Sequence, residues 1–547
     1  MITVPRLEHI KALVSNLECA RLSLTMNLEL SSSIVYPALC LLPLLVYIRY
    51  ARNSRLPPSP PSVPIIGHAL LVPLTTPWKT FASWKETFGD VIYLHFYGSP
   101  KIVLNSLSAA RDLLDKRSAN FSGRPRQVVA GEMLGWNTSL PFLDYGERFK
   151  RQRRLMQRYF DAQSVKAFSG IQERGVQSYL GELLRNPEDF RGAAQRLVVG
   201  VVLRATYGYT IRSENDPIID ILHHATTEAA EIFYHGAITI EMLPILCYVP
   251  LWLPNWFPGV AGGRFAVKAR ANIDKAITIP FEELKSQKAA GVAEPCFISK
   301  LLDDYEEEQR DNPELQEDIK MLGAIAYTAG FESTWATILT FFLMMTLNRG
   351  VLKTAQDEID SVVGSDRLPT MNNRPNLPYI DCIVKEVFRI NPIFAQGLDH
   401  KATESDRYRD WVIPKGTLIS PNIWQMMRDE EYFPNPQSFS PDRYLENVEG
   451  RPKPTGINAD PSNFVFGFGR RICPGRFFAE GTIWLTIAST LAVFDIKPVT
   501  DPITGNESLP VADYSEAPPI SFPKPFKCSI TPRSEKHAQL IRDGFIN

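Results

Sequence analysis

The sequence predicts a mainly α-helical chain with a minor β region, and three observations carry that prediction. Apolar residues recur at helical spacing through most of residues 108–390. Short runs rich in β-branched and aromatic residues, bounded by Gly and Pro, fall at 91–106 and 398–445, with more strand in the tail from 495. The 547 residues are 44% apolar and 22% charged, with no interior Gly/Ser-rich or single-charge run dividing them. One large core therefore fits better than a string of small modules.

Charge and sulfur narrow the class. A formal net charge of -1 excludes a globally basic nucleic-acid binder. The seven cysteines (Cys19, Cys40, Cys247, Cys296, Cys382, Cys473 and Cys528) are odd in number and show no CxxC pair. That usage fits a reducing compartment, and neither a disulfide scaffold nor a zinc module.

In chain order, residues 1–32 read as an N-terminal extension, and Met26 offers a second start immediately before an apolar run. Residues 33–48, SIVYPALCLLPLLVYI, are uncharged and are followed by Arg49, Arg52 and Arg55. This predicts a single-pass signal anchor with the body on the cytoplasmic side. Residues 49–68 form a basic, proline-rich hinge that favours extended backbone, and 69–547 form the main domain. VIYLHFYG (91–98) and KIVLNS (101–106) predict a hairpin, and VIPKGTLIS (412–420) a strand-turn-strand. A loop interrupts the helices at 244–260, a helix follows Cys473, and the tail from 495 reads as strand and loop. Residues 321–347 carry one charge, Glu332, over more than a membrane span. An ionisable group at mid-depth is expensive in lipid, so the segment reads as a helix buried in protein. Gly330 and the following hydroxyls mark where it would bend or open a backbone bond.

FGFGRRICPG, residues 466–475, is the most specific segment, and each position has a task if Cys473 binds a haem iron. Gly467, Gly469 and Gly475 let the backbone turn and approach a flat macrocycle. Phe466 can shield the sulfur. Pro474 suits the first helical position, and a helix N-terminus would lower the thiol pKa. Arg471 is placed to reach a haem propionate.

The segment resembles the haem-binding signature of the cytochrome P-450 superfamily, Phe-x-x-Gly-x-Arg-x-Cys-x-Gly, at every fixed position. The resemblance implies haem b (iron protoporphyrin IX) with Cys473 as axial thiolate and a triangular prism of helices around it. KEVFR (385–389) and FSPDRY (439–444) resemble the parts of a buried triad, which implies that Glu386, Arg389 and Arg443 have a structural role. AGFEST (329–334) resembles the oxygen-activation motif, implying that Glu332 relays protons and that a neighbouring hydroxyl steers them. Ser333 stands where threonine is usual, and Thr334 could share its task. Without threonine's methyl, χ1 is less restricted, and leakier coupling to peroxide is expected.

YGERFKRQRRLMQRYF (145–160) resembles the helix carrying Trp-x-x-x-Arg. Arg153 keeps the second position, while Phe149 replaces tryptophan and loses one propionate bond. Lys150, Arg151, Arg154 and Arg158 give this helix a basic face suited to an acidic electron donor. His400 resembles the propionate-binding histidine, although Asp399 departs from the usual proline. SGRPR (122–126), ATYGY (205–209) and NIW (422–424) further resemble fungal microsomal members.

Taken together, the resemblance implies a monooxygenase at the endoplasmic reticulum membrane. Its electrons would come from NADPH through a separate cytochrome reductase, with cytochrome b5 as a second donor, since no nicotinamide or flavin fingerprint is present. Its pocket would draw on 124–142, 228–240, 326–334 and 393–399, whose apolar content predicts a lipophilic substrate. Terpenoids, polyketide-like aromatics, steroids and polycyclic xenobiotics all qualify. Two alternatives stand beside it: a haem-dependent isomerase or dehydratase on the same fold, and a non-catalytic haem-binding membrane protein. The acid–alcohol pair disfavours the first, and that pair with the basic face disfavours the second.

Overall fold

The computed structural model describes residues 56–211, 216–219, 221, 237–308, 312–445, 460–501, 503–515 and 520–544. The expected extension 1–32, the anchor 33–48 and residues 49–55 of the hinge lie outside the described residues, as does 228–236 of the expected pocket. Among the described residues no single helix is long and apolar enough to cross a membrane.

The longer helices are α1 (Pro77–Phe88), α2 (Glu147–Phe160), α3 (Ser169–Arg185), α4 (Phe190–Tyr207), α5 (Val260–Ala289) and α6 (Phe297–Glu308). They continue as α7 (Pro313–Leu347), α8 (Arg349–Val362), α9 (Pro378–Ile390), α10 (Arg476–Val493) and α11 (Glu535–Asp543). Local chemistry sets several of their ends. Pro occupies the first position of α1, α7 and α9, where its missing N–H costs nothing. The Asn312 side chain caps α7 by accepting from Leu315 N–H, and left-handed Gly208 ends α4.

The predicted hairpin is present as β1 (Val91–Phe96) antiparallel to β2 (Ser99–Leu104), in register Val91↔Leu104 to Phe96↔Ser99. The strand-turn-strand at 412–420 needs correction. Strands β3 (His400–Lys401), β4 (Asp406–Tyr408), β5 (Trp411–Ile413) and β6 (Leu418–Pro421) do form, but β5 and β6 are not partners. β6 lies parallel to β2 and antiparallel to β3, completing a sheet of order β1-β2-β6-β3. The reason lies in the turn: Gly416 N–H donates to Ala402 O and Ala402 N–H to Thr417 O, so the chain after Pro414 pairs with 402. The β4–β5 hairpin pairs only within itself, with Arg409 over the rings of Tyr408 and Trp411 at 5.1 and 5.4 Å. The tail also departs from expectation. Beyond β7 (Phe494–Lys497) and its antiparallel partner β8 (Ser529–Pro532), the chain closes in helix α11, capped by Ser534.

α7 confirms the buried helix. It packs against α4, α5, α6, α9 and α10, and the apolar residues between Ile338 and Met345 belong to the same cluster as Trp484 and Leu485 of α10. Each large apolar side chain fully buried there stabilises by roughly 1.5–3 kcal/mol. Threonines are tolerated in these helices because their hydroxyls bond back one turn. Thr337, Thr340 and Thr346 donate to Ser333, Ala336 and Phe342 carbonyls at 2.8 Å each. The helix runs unbroken through Gly330, so the expected opening there is absent.

Candidate active site

The Cys473 turn is built by glycine and held by its neighbours. Gly467 and Gly469 adopt φ of +86° and +53°, which side chains on L-residues disfavour. A Cβ on Gly469 would lie 2.1 Å from Leu114 O, and its N–H donates to Asp115 Oδ1 at 2.6 Å. Cys473 N–H returns to Phe466 O at 2.8 Å. The Phe466 ring meets Phe388 of α9 edge-on, with centroids 5.4 Å apart. By contrast, a Cβ on Gly475 would meet no protein atom within 4 Å, so packing within the chain does not require that glycine.

Two expectations about this turn are corrected. Pro474 is not the first helical residue: α10 begins at Arg476, with Gly475 as its N-cap. The Cys473 thiol is pushed up, not down, because burial outweighs the Gly475 N–H and the cations of Arg153 and Arg476.

Three arginines converge on this turn. Arg471 donates to the carbonyls of Ser122 (2.8 Å), Leu140 (3.4 Å) and Leu143 (2.8 Å), with its guanidinium 3.8 Å over the Phe149 ring. Phe149 thus serves as a cation–π platform in place of the expected tryptophan donor. Arg153 donates to Ile472 O. Arg124 donates to Pro141 O (2.9 Å), Leu398 O (2.9 Å) and Asp399 O (2.6 Å). In the sequence Arg124 stood only at the start of the pocket stretch 124–142 and in the SGRPR match, with no role as a haem-side cation. Burial, with mutual repulsion for Arg471, pushes Arg471 to about 9 and Arg124 to about 10. His400 Nδ1 lies 2.7 Å from Phe121 O. Burial and the cations Arg124 and Arg471 push its pKa to about 3, leaving it neutral. Asp399, in the place of the usual proline, pairs with Lys101 at 2.9 Å.

The triad is assembled. Arg389 grips Glu386 with two bonds of 2.8 Å, both side chains wholly buried, and Arg443 Nε adds a third at 3.2 Å. Tyr444 Oη (2.9 Å) and Ser440 N–H (2.8 Å) also donate to Glu386, roles that the FSPDRY match, which assigned only Arg443, did not give them. Arg389 further donates to Met427, Pro436 and Ser438 carbonyls, tying the chain before Cys473 to α9.

On α7, burial pushes the Glu332 carboxyl up to about 7. Ser333 Oγ donates to Ala329 O at 2.9 Å and keeps some exposure, whereas Thr334 is 3% exposed.

The basic face of α2 is narrower than expected. Arg151 turns to Asp318 (2.6 Å) and Glu314 (3.2 Å), Lys150 to Glu147 (2.7 Å), and Arg158 to Asp304. Asp318 is fully buried and also accepts from Arg148 (2.6 Å) and Gln152 (2.8 Å), bracing α2 against α7. Exposed Arg154 joins Lys150, Arg153, Arg470 and Arg476 around a concavity of about 450 Å³, in whose lining Glu147 is the one carboxylate.

A buried surplus of guanidinium, bonded to backbone carbonyls, fits the two carboxylates at one edge of haem b, and the Cys473 sulfur beside it is the kind of soft donor that suits an iron. Comparison with known proteins agrees. The Cytochrome P-450 family model matches residues 57–513. Cytochrome P-450 monooxygenase 208 of Postia placenta is 36% identical over 495 residues, 90% of this chain and 93% of that protein. Monooxygenase claR of Ampulloclitocybe clavipes is 36% identical over 493 residues, covering 90% and 89%. Monooxygenase ple1 of Rhodocybe pseudopiperita is 35% identical over 492 residues, covering 90% and 92%. With this signature, this site and these relatives, the chain belongs to the cytochrome P-450 family and is a haem-thiolate monooxygenase.

Proposed function

We propose that the protein inserts one oxygen atom of O2 into a lipophilic small molecule, with electrons from NADPH delivered by a separate reductase. The observation that carries this reading is the buried guanidinium surplus around the Cys473 turn. Arg124, Arg153 and Arg471 would hold the propionates, Cys473 would ligate the iron, and the bound haem supplies the redox-active centre for dioxygen. His400 would join them once a facing carboxylate raises its pKa enough for Nε2 to carry a proton. Glu386, Arg389 and Arg443 hold the loop in which the ligand sits.

Glu332 holds a proton on its carboxyl near neutral pH and can release it without a large penalty. Ser333 Oγ, once turned away from Ala329 O, is the hydroxyl we assign to pass that proton on. Thr334 is the more buried of the two. Val128, Val129, Leu134, Ile240, Met321 and Ala324 form one apolar cluster, which suits a terpenoid, polyketide-like aromatic, steroid or polycyclic ligand.

The concavity around Arg154 and Arg470 suits an acidic reductase or cytochrome b5. Attachment to the endoplasmic reticulum through 33–48 is supported by exposed apolar side chains in the body. Ile65 lies in the hinge and Leu70 and Leu74 just after it, all exposed, and Tyr248, Trp252 and Trp256 are each more than 70% exposed.

A carbon-monoxide difference spectrum of the reduced protein tests the assignment. A strongly red-shifted Soret band is expected, absent in Cys473→Ala. Substrate-stimulated NADPH consumption that requires a reductase would follow. Haem binding without the shift would remove thiolate ligation.

A further inference from the structure

We infer that Glu241 is a positioning residue that latches two segments on the substrate side of this site and thereby governs the entry of bulky molecules. The inference rests on the haem-enzyme reading above. The first segment is the turn Val128–Met133, whose leading N–H groups have no acceptor within the turn. Glu241, on the short helix Ala237–Met242, supplies them. Its Oε2 accepts from Val128 N–H and its Oε1 from Val129 N–H, each at 2.9 Å, and Ala130 N–H also bonds to it. Both carboxylate oxygens are engaged across more than a hundred residues of chain.

Just outside these segments, Arg126 chelates Glu132 of the turn (2.6 and 2.8 Å) and bonds the Tyr248 phenol, six residues past the helix. Beneath the latch, Val128 and Val129 pack with Ile240, with Ala266 and Ile273 of α5, and with Met321 and Ala324 of α7. The far end of the first segment is closed by α5, since the Arg270 guanidinium carbon lies 2.3 Å from where a Cβ on Gly135 would fall. Ala324 is two turns before Glu332, about 12 Å along α7 at 1.5 Å per residue. Parting the latch therefore opens the cluster over the helix that carries the proton donor.

Besides burial, the leading influences on Glu241 are the N–H groups of Val128, Val129 and Ala130, which favour its charge, and Glu132, which opposes it. The latch is thus a carboxylate gripping backbone donors. Glu241→Gln keeps the shape but can accept with one oxygen only. Its amide N–H would then face a backbone N–H, donor against donor.

The test uses the haem-loaded enzyme and two iron ligands of different size, carbon monoxide and 4-phenylimidazole. In Glu241→Gln the association rate of 4-phenylimidazole should rise about tenfold, the effect of losing one charge-assisted bond, with the rate for carbon monoxide unchanged. Amide hydrogen exchange at 128–130 should rise in parallel and provides a readout independent of iron. Raised exchange with an unchanged 4-phenylimidazole rate would overturn the gating role. Unchanged exchange would overturn the latch itself. Absence of the red-shifted carbon-monoxide band from the wild-type protein would overturn the haem reading, and that failure is visible before any rate is compared.

Discussion

At Glu332 the deciding quantity is the cost of a carboxylate in a buried stretch of helix. Burial raises its pKa from 4.5 to about 7, so the native state binds the proton more tightly than the unfolded chain. The sign follows: the stability this group contributes falls as pH rises from about 4.5 to about 7 and is level above. Glu332→Gln should flatten that slope, measurable in the pH dependence of denaturant midpoints. It should also lower product formation about a hundredfold or more, the usual worth of a positioned acid, and remove the decline in rate above pH 7. At the next residue, Ser333→Thr restores a branched side chain with fewer χ1 states. The expected outcome is less peroxide released per NADPH consumed, assayed with the cognate reductase.

At the scale of elements, the two glycines flanking Cys473 separate packing from cofactor. Gly469→Ala forces a Cβ against Leu114 O at positive φ and should cost more than about 2 kcal/mol by denaturant unfolding. Gly475→Ala meets no protein atom, so any loss it shows should appear in haem retention and not in backbone stability. Glu386→Ala leaves two guanidiniums and a phenol without their shared acceptor and should cost roughly 3–5 kcal/mol, with loss of haem. Tyr444→Phe removes one bond and should cost about 1 kcal/mol.

These elements also show what sequence could and could not reveal. Glu386 and Arg389 stand one turn apart on α9, so their pairing was readable from spacing. Tyr444, Ser440 and Arg124 depend on where loops far apart in the chain come together, and local periodicity carries no trace of that. The basic face of α2 was overcounted for the same reason: Asp318, which takes up Arg148 and Arg151, comes from another helix. The strands around 412–420 were legible as strands, but their partners were not, because hydrogen bonds to Ala402 decide them.

For the whole molecule, near-neutral net charge hides a local asymmetry. On the reading proposed above, the concavity bounded by Lys150, Arg154, Arg470 and Arg476 would offer an acidic donor a docking site whose strength depends on salt. Arg154→Glu should weaken reduction by the reductase several-fold at low ionic strength and leave the carbon-monoxide spectrum intact, with the difference shrinking as salt is added. Arg151→Glu should instead destabilise the fold, because it places a carboxylate beside Asp318. The guanidinium cluster of Arg124, Arg153 and Arg471 has a different consequence, for the life of the protein in its cell. A ligand that neutralises buried charge binds the folded chain and not the unfolded one, so it shifts the folding balance by mass action. Quality control would then read cofactor supply through this chain: a cell short of iron or porphyrin would hold less of the enzyme, by faster turnover, at an unchanged rate of synthesis.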